Sequence, residues 1–456
     1  MGAVQLQGYV VTRVNSVPAF VAEPHMPAER ELRAWILLYY SERADEKAEK
    51  YWRAAGKQMA ETFRKDVKTG GEIKVLATEL TNGKQSVAEK ADALSIYCQT
   101  KIGNVNYNAE GMTSEDRDRY HKKLFKPEYN ANDTLKNKLG TRGDIVTLFY
   151  SLAQAAGLNP AYVRASSLAD VLFRVDFFDT FMVRHHMVAI PDGANFRYYD
   201  PGLPYLPPAM PGWEQQGQAA VQVDGKESKL VNIPVTAPEL SVTRRSAKLK
   251  LSAEGTLSGA LRLEYTGHAA VTEKLQLEDQ SAGSREEAKK KEFEGQYPGA
   301  QVTNLKIENA NSPQGMLAIT FEMTMENYAS RTGKRMFFQP SVFDFGDLPL
   351  FSAPKRTHPV LFNHPFSEQD QISIELPQGY ALESAAVPGA LKLGEVGDYS
   401  MTATVTHDNP TLKLTRNFVW GRKGGIWFEP GSYEAVKAGW DQIHKMNTTN
   451  LTLRAQ

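Results

Sequence analysis

The feature that most constrains this chain is a period-two alternation that returns along its C-terminal half. Leu317, Ile319, Phe321, Met323 and Met325 are separated by Ala318, Thr320, Glu322 and Thr324. Successive side chains on a strand point to opposite faces, so such a run buries one face and leaves the other to solvent. Leu261, Leu263 and Tyr265 repeat the pattern, as do Ile372, Ile374 and Leu376, then Met401, Ala403 and Val405, then Leu412 and Leu414. A helix does not satisfy this period. Residues 238–456 are therefore expected as an all-β, sandwich-like region, either one elongated unit or two divided near 350. A charged helical run, SREEAKKKEFEG at 284–295, interrupts it and reads as a solvated face. A last helix over 433–446 precedes a terminal strand, LTLRA.

The first half follows a different pattern. ELRAWILLYY (31–40) is short, aromatic and aliphatic, and reads as a strand. SERADEKAEKYWRAAGKQMAETF, from Ser41, reads as a long helix, and TSEDRDRYHKKLF, from Thr113, as another. Between them Val87, Ala91, Leu94 and Cys98 share one face of a helix over 85–101. Thr141-Arg142-Gly143-Asp144 fits a Thr-x-x-Asp capping box. It opens a helix whose face is Ile145, Leu148, Phe149, Leu152 and Ala156, closed by Gly157. Strands are expected over 161–165, 186–191 and 195–200, the last two joined by a PDGAN hairpin. The proline-rich run PGLPYLPPAMPGW (201–213) leads out. The expected layout is a tail of a preceding β unit or linker (1–26), an α+β domain (27–215), a linker (216–237) and the β region (238–456).

Composition excludes several functions. Lys plus Arg and Asp plus Glu are 53 each, and a net charge of zero argues against a general nucleic-acid binder. No apolar run approaches the ~20 residues that span a bilayer, so no integral membrane segment is expected. The lone Cys98 excludes an internal disulfide and a cysteine metal site, and its place on an apolar helix face makes it a core residue. His185 and His186 are neighbours on a strand, so they point to opposite faces and cannot share one metal ion. Neither a metal nor a cofactor is expected. The opening MGAVQLQGYVV lacks a basic segment followed by an apolar one. That fits a cytoplasmic protein, or one whose leader has been removed. The immediate alternation of Val4, Leu6, Tyr9 and Val11 favours the second, a periplasmic or extracytoplasmic location.

Three elements stand in a suggestive order: a helix start at 140–144, a strand with His186, and a hairpin leading to Asp200. A nucleophile at a helix N-terminus, a histidine on one strand and an aspartate on the next is how Cys-His-Asp sites are built in papain-like folds. Here the chain resembles bacterial transglutaminase-like proteins of the type flanked by β domains. Their nucleophile segment reads roughly Gly-Asp-Cys-Lys-Asp before a helix ending Ala-Gly-Ile. The matching run is GTRGDIVTLFYSLAQAAGLNPAYV (140–163), with Gly140, Asp144, Leu148 and Ala156-Gly157-Leu158 in register. The family's Asn-His segment matches His185-His186-Met187-Val188, and its Asp-Pro segment matches Tyr199-Asp200-Pro201, with Leu206-Pro207 beyond. ELPQGYALES near Pro377, Arg416 in LTRNF and Tyr433 before the last helix resemble the family's trailing β domain, so the resemblance runs from about Pro18 to the end.

The resemblance implies an α+β transglutaminase-like (papain-like) domain followed by the sandwich-like region. It implies His186 and Asp200 as triad positions and Arg142 in place of the nucleophile, with Thr141, Asp144 and His185 in support. Arginine is always protonated and is no nucleophile. Thr141 spends its hydroxyl on the helix cap, and Cys98 lies on another helix. The expected function is a catalytically inactive binding or scaffolding module of the cell envelope, with a protein, peptide or glycan as ligand. Two alternatives stay open. One is a hydrolase or peptidase that uses His186 as base for a water. The other is a carbohydrate- or peptide-binding protein whose β region carries the function. Trp420 and Trp427, flanking Gly421–Gly425, read as core residues at strand ends or as a sugar platform.

Overall fold

The computed structural model describes residues 3–6, 9–12, 16, 19–35, 47–107, 129–225, 227–278, 281–384, 389–406 and 410–456, with 115, 118 and 122 singly. It is a mixed α/β chain with extensive β-sheet. A hairpin, β1 (Ala3–Leu6) and β2 (Tyr9–Thr12), comes first. Residues 23–25 lie against the chain at 357–361. Glu23 accepts the backbone N–H groups of Thr357 and His358 at 2.9 Å each, and His25 O accepts from Leu361 N at 2.7 Å.

The strand expected over 31–40 is not found in its described part. Glu29–Leu32 (α1) is a helical turn in which Glu29 pairs with Arg33, and 36–40 lie outside the described residues. Then come α2 (Ala48–Arg64), α3 (Gly71–Thr81), α4 (Val87–Lys101), α5 (Ala131–Asn137) and α6 (Arg142–Ala155). Residues 41–46 of the long helix lie outside the described residues, as does almost all of the helix expected after Thr113.

The strands β3 (Ala161–Ala165), β4 (His185–Asp192), β5 (Asn195–Tyr199), β6 (Ala219–Asp224) and β7 (Glu227–Asn232) form an antiparallel sheet in the order β5-β4-β3-β6-β7. Strands β6 and β7 occupy much of the stretch read as a linker. Ala220, Val221 and Val223 are buried, and the Asp224-Gly225 turn, with Gly225 at φ +57°, closes a hairpin. Its alternation was overshadowed by the proline-rich run just before it. Helix α6 buries Ile145, Leu148, Phe149 and Leu152 on one sheet face, among Tyr162, Val188, Ile190, Tyr199 and Val223. Val163, Ala165, Met187, Ala189 and Tyr198 pack on the other. At about 1.5–3 kcal/mol per buried large apolar side chain, this layer fixes α6 over the sheet.

The second half contains β8 (Val242–Leu251), β9 (Leu257–Tyr265), α7 (Gly267–Leu277), α8 (Ala282–Gln296), β10 (Ala300–Glu308), β11 (Leu317–Met325), β12 (Ser330–Thr332) and β13 (Arg335–Phe338). It continues with β14 (Phe366–Glu375), β15 (Tyr380–Ser384), β16 (Ala390–Leu393), β17 (Gly397–Val405), β18 (Thr411–Trp420), α9 (Tyr433–Asn447) and β19 (Leu451–Ala455). One eight-stranded sheet, β10-β11-β9-β8-β14-β18-β17-β16, crosses position 350, and β12-β13-β19-β15 form a smaller sheet. The large sheet is mixed, because β8 and β14 run parallel. Helix α7 was not foreseen. Helix α8 is not simply solvated: Lys289 is buried, with Nζ 2.7 Å from Glu273 on α7 and 3.0 Å from Glu292. Trp420 is a core residue, packed with Phe362, Phe418, Phe428 and Trp440.

The parallel junction carries buried charge. Register sets Arg245, Asp370 and Arg416 side by side on β8, β14 and β18. Arg245 donates twice to Asp370 at 2.7 Å, and Arg416 reaches Asp370 at 3.2 Å and Glu368 at 2.7 Å. A buried carboxylate between two guanidiniums is satisfied only while both remain.

Burial holds His25, His185, His186, His268 and His364 below the ordinary imidazole range. His268 goes down to about 3 and has no hydrogen bond at either ring nitrogen. These groups are uncharged when folded and charge on unfolding, so the unfolded chain binds more protons below about pH 6.5. Their stabilisation is complete above that pH and falls as pH drops toward the folded values. Urea unfolding should show His268→Leu to have a shallower loss below pH 6.5, by up to about 1.4 kcal/mol per pH unit. Parallel curves for parent and variant would contradict this.

Candidate functional site

The site is assembled where α6 begins. Thr141 is the N-cap: its Oγ1 accepts Asp144 N at 3.2 Å, while Thr141 N and Oγ1 donate to Asp144 Oδ2 at 2.8 and 2.7 Å. Both groups are committed to the capping box. Arg142 is the first residue of the helix, and its backbone N–H donates to Asn106 Oδ1 at 2.8 Å.

The Arg142 side chain turns away from the cap and toward the end of β5. Its Nε lies 3.4 and 3.1 Å from the two oxygens of Asp200, and Nη2 also contacts Asp200 Oδ2. Gln215 Oε1 accepts from Nη2 at 3.2 Å. The Asp200 side chain is fully buried, while that of Arg142 keeps 18% of its surface exposed. Burial opposes the charge on Arg142, but Asp200 outweighs it and holds the guanidinium above its ordinary range. Gly202 permits the approach, since a Cβ there would lie 2.5 Å from Arg142 Cγ and from its carbonyl oxygen.

His186 stands elsewhere. Register sets it opposite Arg164 on β3. Arg164 Nη1 lies 2.8 Å from His186 Nε2, and Tyr162 OH 3.3 Å from Nδ1. Guanidinium only donates, so Nε2 accepts and the ring proton sits on Nδ1, facing Tyr162. Burial first, then the charges of Arg164, His185 and Arg142, push the imidazole down to about 3. His186 is therefore neutral at physiological pH, and its free lone pair is engaged by a cation. Among the described residues no hydrogen bond joins it to Asp200.

His186 lines a cleft of about 540 Å³ with Phe63, Asp66, Thr141, Gly143, Asp144, Thr147, Tyr162 and Arg164. Arg142 does not line it. Asp66 is raised above the ordinary carboxyl range by burial and then by Asp144. His185 points to the opposite sheet face and lines a smaller pocket of about 180 Å³ with Ser167, Asp170 and Arg184. Burial and the charge of Arg142 lower it. Cys98 is fully buried, and burial pushes its thiol well up.

The structure thus brings Arg142 and Asp200 together, keeps Thr141 and Asp144 on the cap, and gives His186 to Arg164. Sequence reasoning missed Arg164, Tyr162 and Gln215. The one available signal was a lone arginine inside the apolar strand AYVRA. Among the described residues no cluster of three or more His, Cys, Asp or Glu could hold a metal ion, and no helix is long and apolar enough to cross a membrane.

Comparison with known proteins adds the following. Residues 334–453 match a family described as a domain of unknown function with a solved structure, DUF3858. No curated protein matches. A solved structure described as that of a "putative protease" from Parabacteroides distasonis aligns with a TM-score of 0.48 at 14% identity, over 88% of this chain and 58% of that one. The chain thus spans little more than half the length of that protein.

Asp200 is a buried carboxylate that neutralises the partly exposed Arg142, whereas Thr141 supplies one cap. Asp200→Ala should cost about 3–5 kcal/mol in urea unfolding and Thr141→Ala about 1 kcal/mol. Equal costs would contradict the geometry.

Proposed function

We propose that this chain is a transglutaminase-like protein whose triad positions have been turned to structural use, and that it works in the cell envelope by binding rather than by turnover. The order of the segments 140–163, 185–188 and 199–201 supports the family reading. One observation carries the inactivity: an arginine occupies each half of the site. Arg142 holds both oxygens of Asp200, and Arg164 donates to the His186 nitrogen that would take a proton. No thiol stands at the helix start, Thr141 is committed to Asp144, and the His186 lone pair is not offered to a water. Acyl transfer needs a nucleophile and an adjacent base, and neither is free here.

The purified chain should show no hydrolysis of peptide amides, no amine incorporation and no thiol dependence. Turnover that survives alkylation of Cys98 but is lost in His186→Ala would favour the hydrolase reading, in which Asp66 and His186 share the open cleft.

Arg142→Cys should place a thiol at the positive end of α6, where its pKa falls. His186 would still be held by Arg164. The double variant Arg142→Cys/Arg164→Leu should therefore react with iodoacetamide at pH 7 about tenfold faster than Arg142→Cys alone. Equal rates would mean that Arg164 does not restrain the imidazole.

A further inference from the structure

The solvent face of the eight-stranded sheet forms a trough of about 850 Å³. Its charged side chains follow from the register. Lys413 on β18 and Lys248 on β8 lie in one row, either side of Ser373. Arg262 on β9 and Lys306 on β10 lie in the next row, either side of Thr320. In the strand order β18-β14-β8-β9-β11-β10 these four cations cross the strands along one stepped line, offset by two residues between β8 and β9, where Lys248 pairs with Ala260 and Arg262 with Ser246. At ~4.8 Å between strands the line is roughly 24 Å long.

The charge is uneven for a chain that balances 53 cations against 53 anions. The lining holds four cations and one carboxylate, Glu322, which accepts the Asn304 amide at 2.8 Å. Arg262 is shared with Glu264 at 2.8 Å and Glu308 at 3.6 Å. Lys248, Lys306 and Lys413 have no ion pair among the described residues. A merely solvated face would intersperse both signs.

Between the cations the floor is Ser246, Thr320, Gln371, Ser373 and Thr415, groups that donate and accept hydrogen bonds. Phe321, the one ring bordering the trough, belongs to the core beneath. A nucleic acid would want rings on which bases stack, and a peptide would want apolar pockets for alternate side chains. Hydroxyl-rich ligands with spaced anionic groups match both the floor and the line of cations.

We propose that this trough binds a linear anionic polysaccharide, laid across the strands, with its carboxylate or sulfate groups on Lys413, Lys248, Arg262 and Lys306. The site is remote in sequence from Arg142 and His186, and it stands whether or not the reading of that site holds.

Calorimetry on the full chain tests it with a galacturonate hexasaccharide for the carboxylate source and a heparin-derived hexasaccharide for the sulfate source. A neutral maltohexaose and poly-glutamate serve as controls. At least one anionic sugar should bind, more weakly as NaCl rises from about 50 to about 200 mM. Maltohexaose should not bind. Lys248→Glu/Lys413→Glu, both on the exposed face, should weaken binding at least about tenfold with an unchanged unfolding midpoint. Failure of both anionic sugars to bind, equal affinity in the double variant, or poly-glutamate binding as tightly as the sugar would each overturn the proposal.

Discussion

The contact between Arg142 and Asp200 organises the start of α6. A cation on the first helical residue faces the positive end of the helix dipole, at a cost of about 0.3–1 kcal/mol. A buried carboxylate at the end of β5 offsets that cost and leaves the guanidinium on the sheet rather than in the cleft. Neighbouring features follow from it. Gly202 lacks the Cβ that would strike Arg142, Gln215 takes a remaining N–H, and Asn106 accepts the backbone donor at the helix start. The first helical turn, the chain after β5 and the loop after α4 are joined through one residue, Arg142, by its side chain to Asp200 and Gln215 and by its backbone N–H to Asn106.

A second arginine completes the arrangement. Arg164 donates to His186 Nε2 and to Val183 O, so the imidazole is oriented by a cation where an acid–base residue would need a carboxylate. Desolvation and the charge of Arg142 also keep it uncharged. The cleft beside it, lined by Asp66, Thr141 and Asp144, remains open.

Local chemistry made part of this legible in the sequence. The Thr141–Asp144 cap, the apolar face of α6 and the Pro191–Asn195 hairpin each depend on residues a few positions apart, and the structure shows each of them. What was not legible depends on tertiary register. That Arg164 lies opposite His186, that β8 runs parallel to β14, and that Lys289 is covered by Glu273 of another helix are pairings across long stretches of chain. Strands β6 and β7 alternate as strands do, but a preceding run of prolines made them look like a connection. Where the expected strand was to begin, Glu29–Leu32 is a helical turn whose first-turn carboxylates, Glu29 and Glu31, suit the positive end of its dipole.

The most direct test of this account is the protonation of the His186 ring, followed by ¹⁵N NMR through a pH titration of the full chain with His186→Gln as the assignment control. The account predicts a neutral imidazole with its proton on Nδ1, unchanged from pH 8 to about pH 4, because Arg164 holds Nε2. Protonation near pH 6.5, or a proton resting on Nε2, would show that the arginine does not engage the ring and would contradict it.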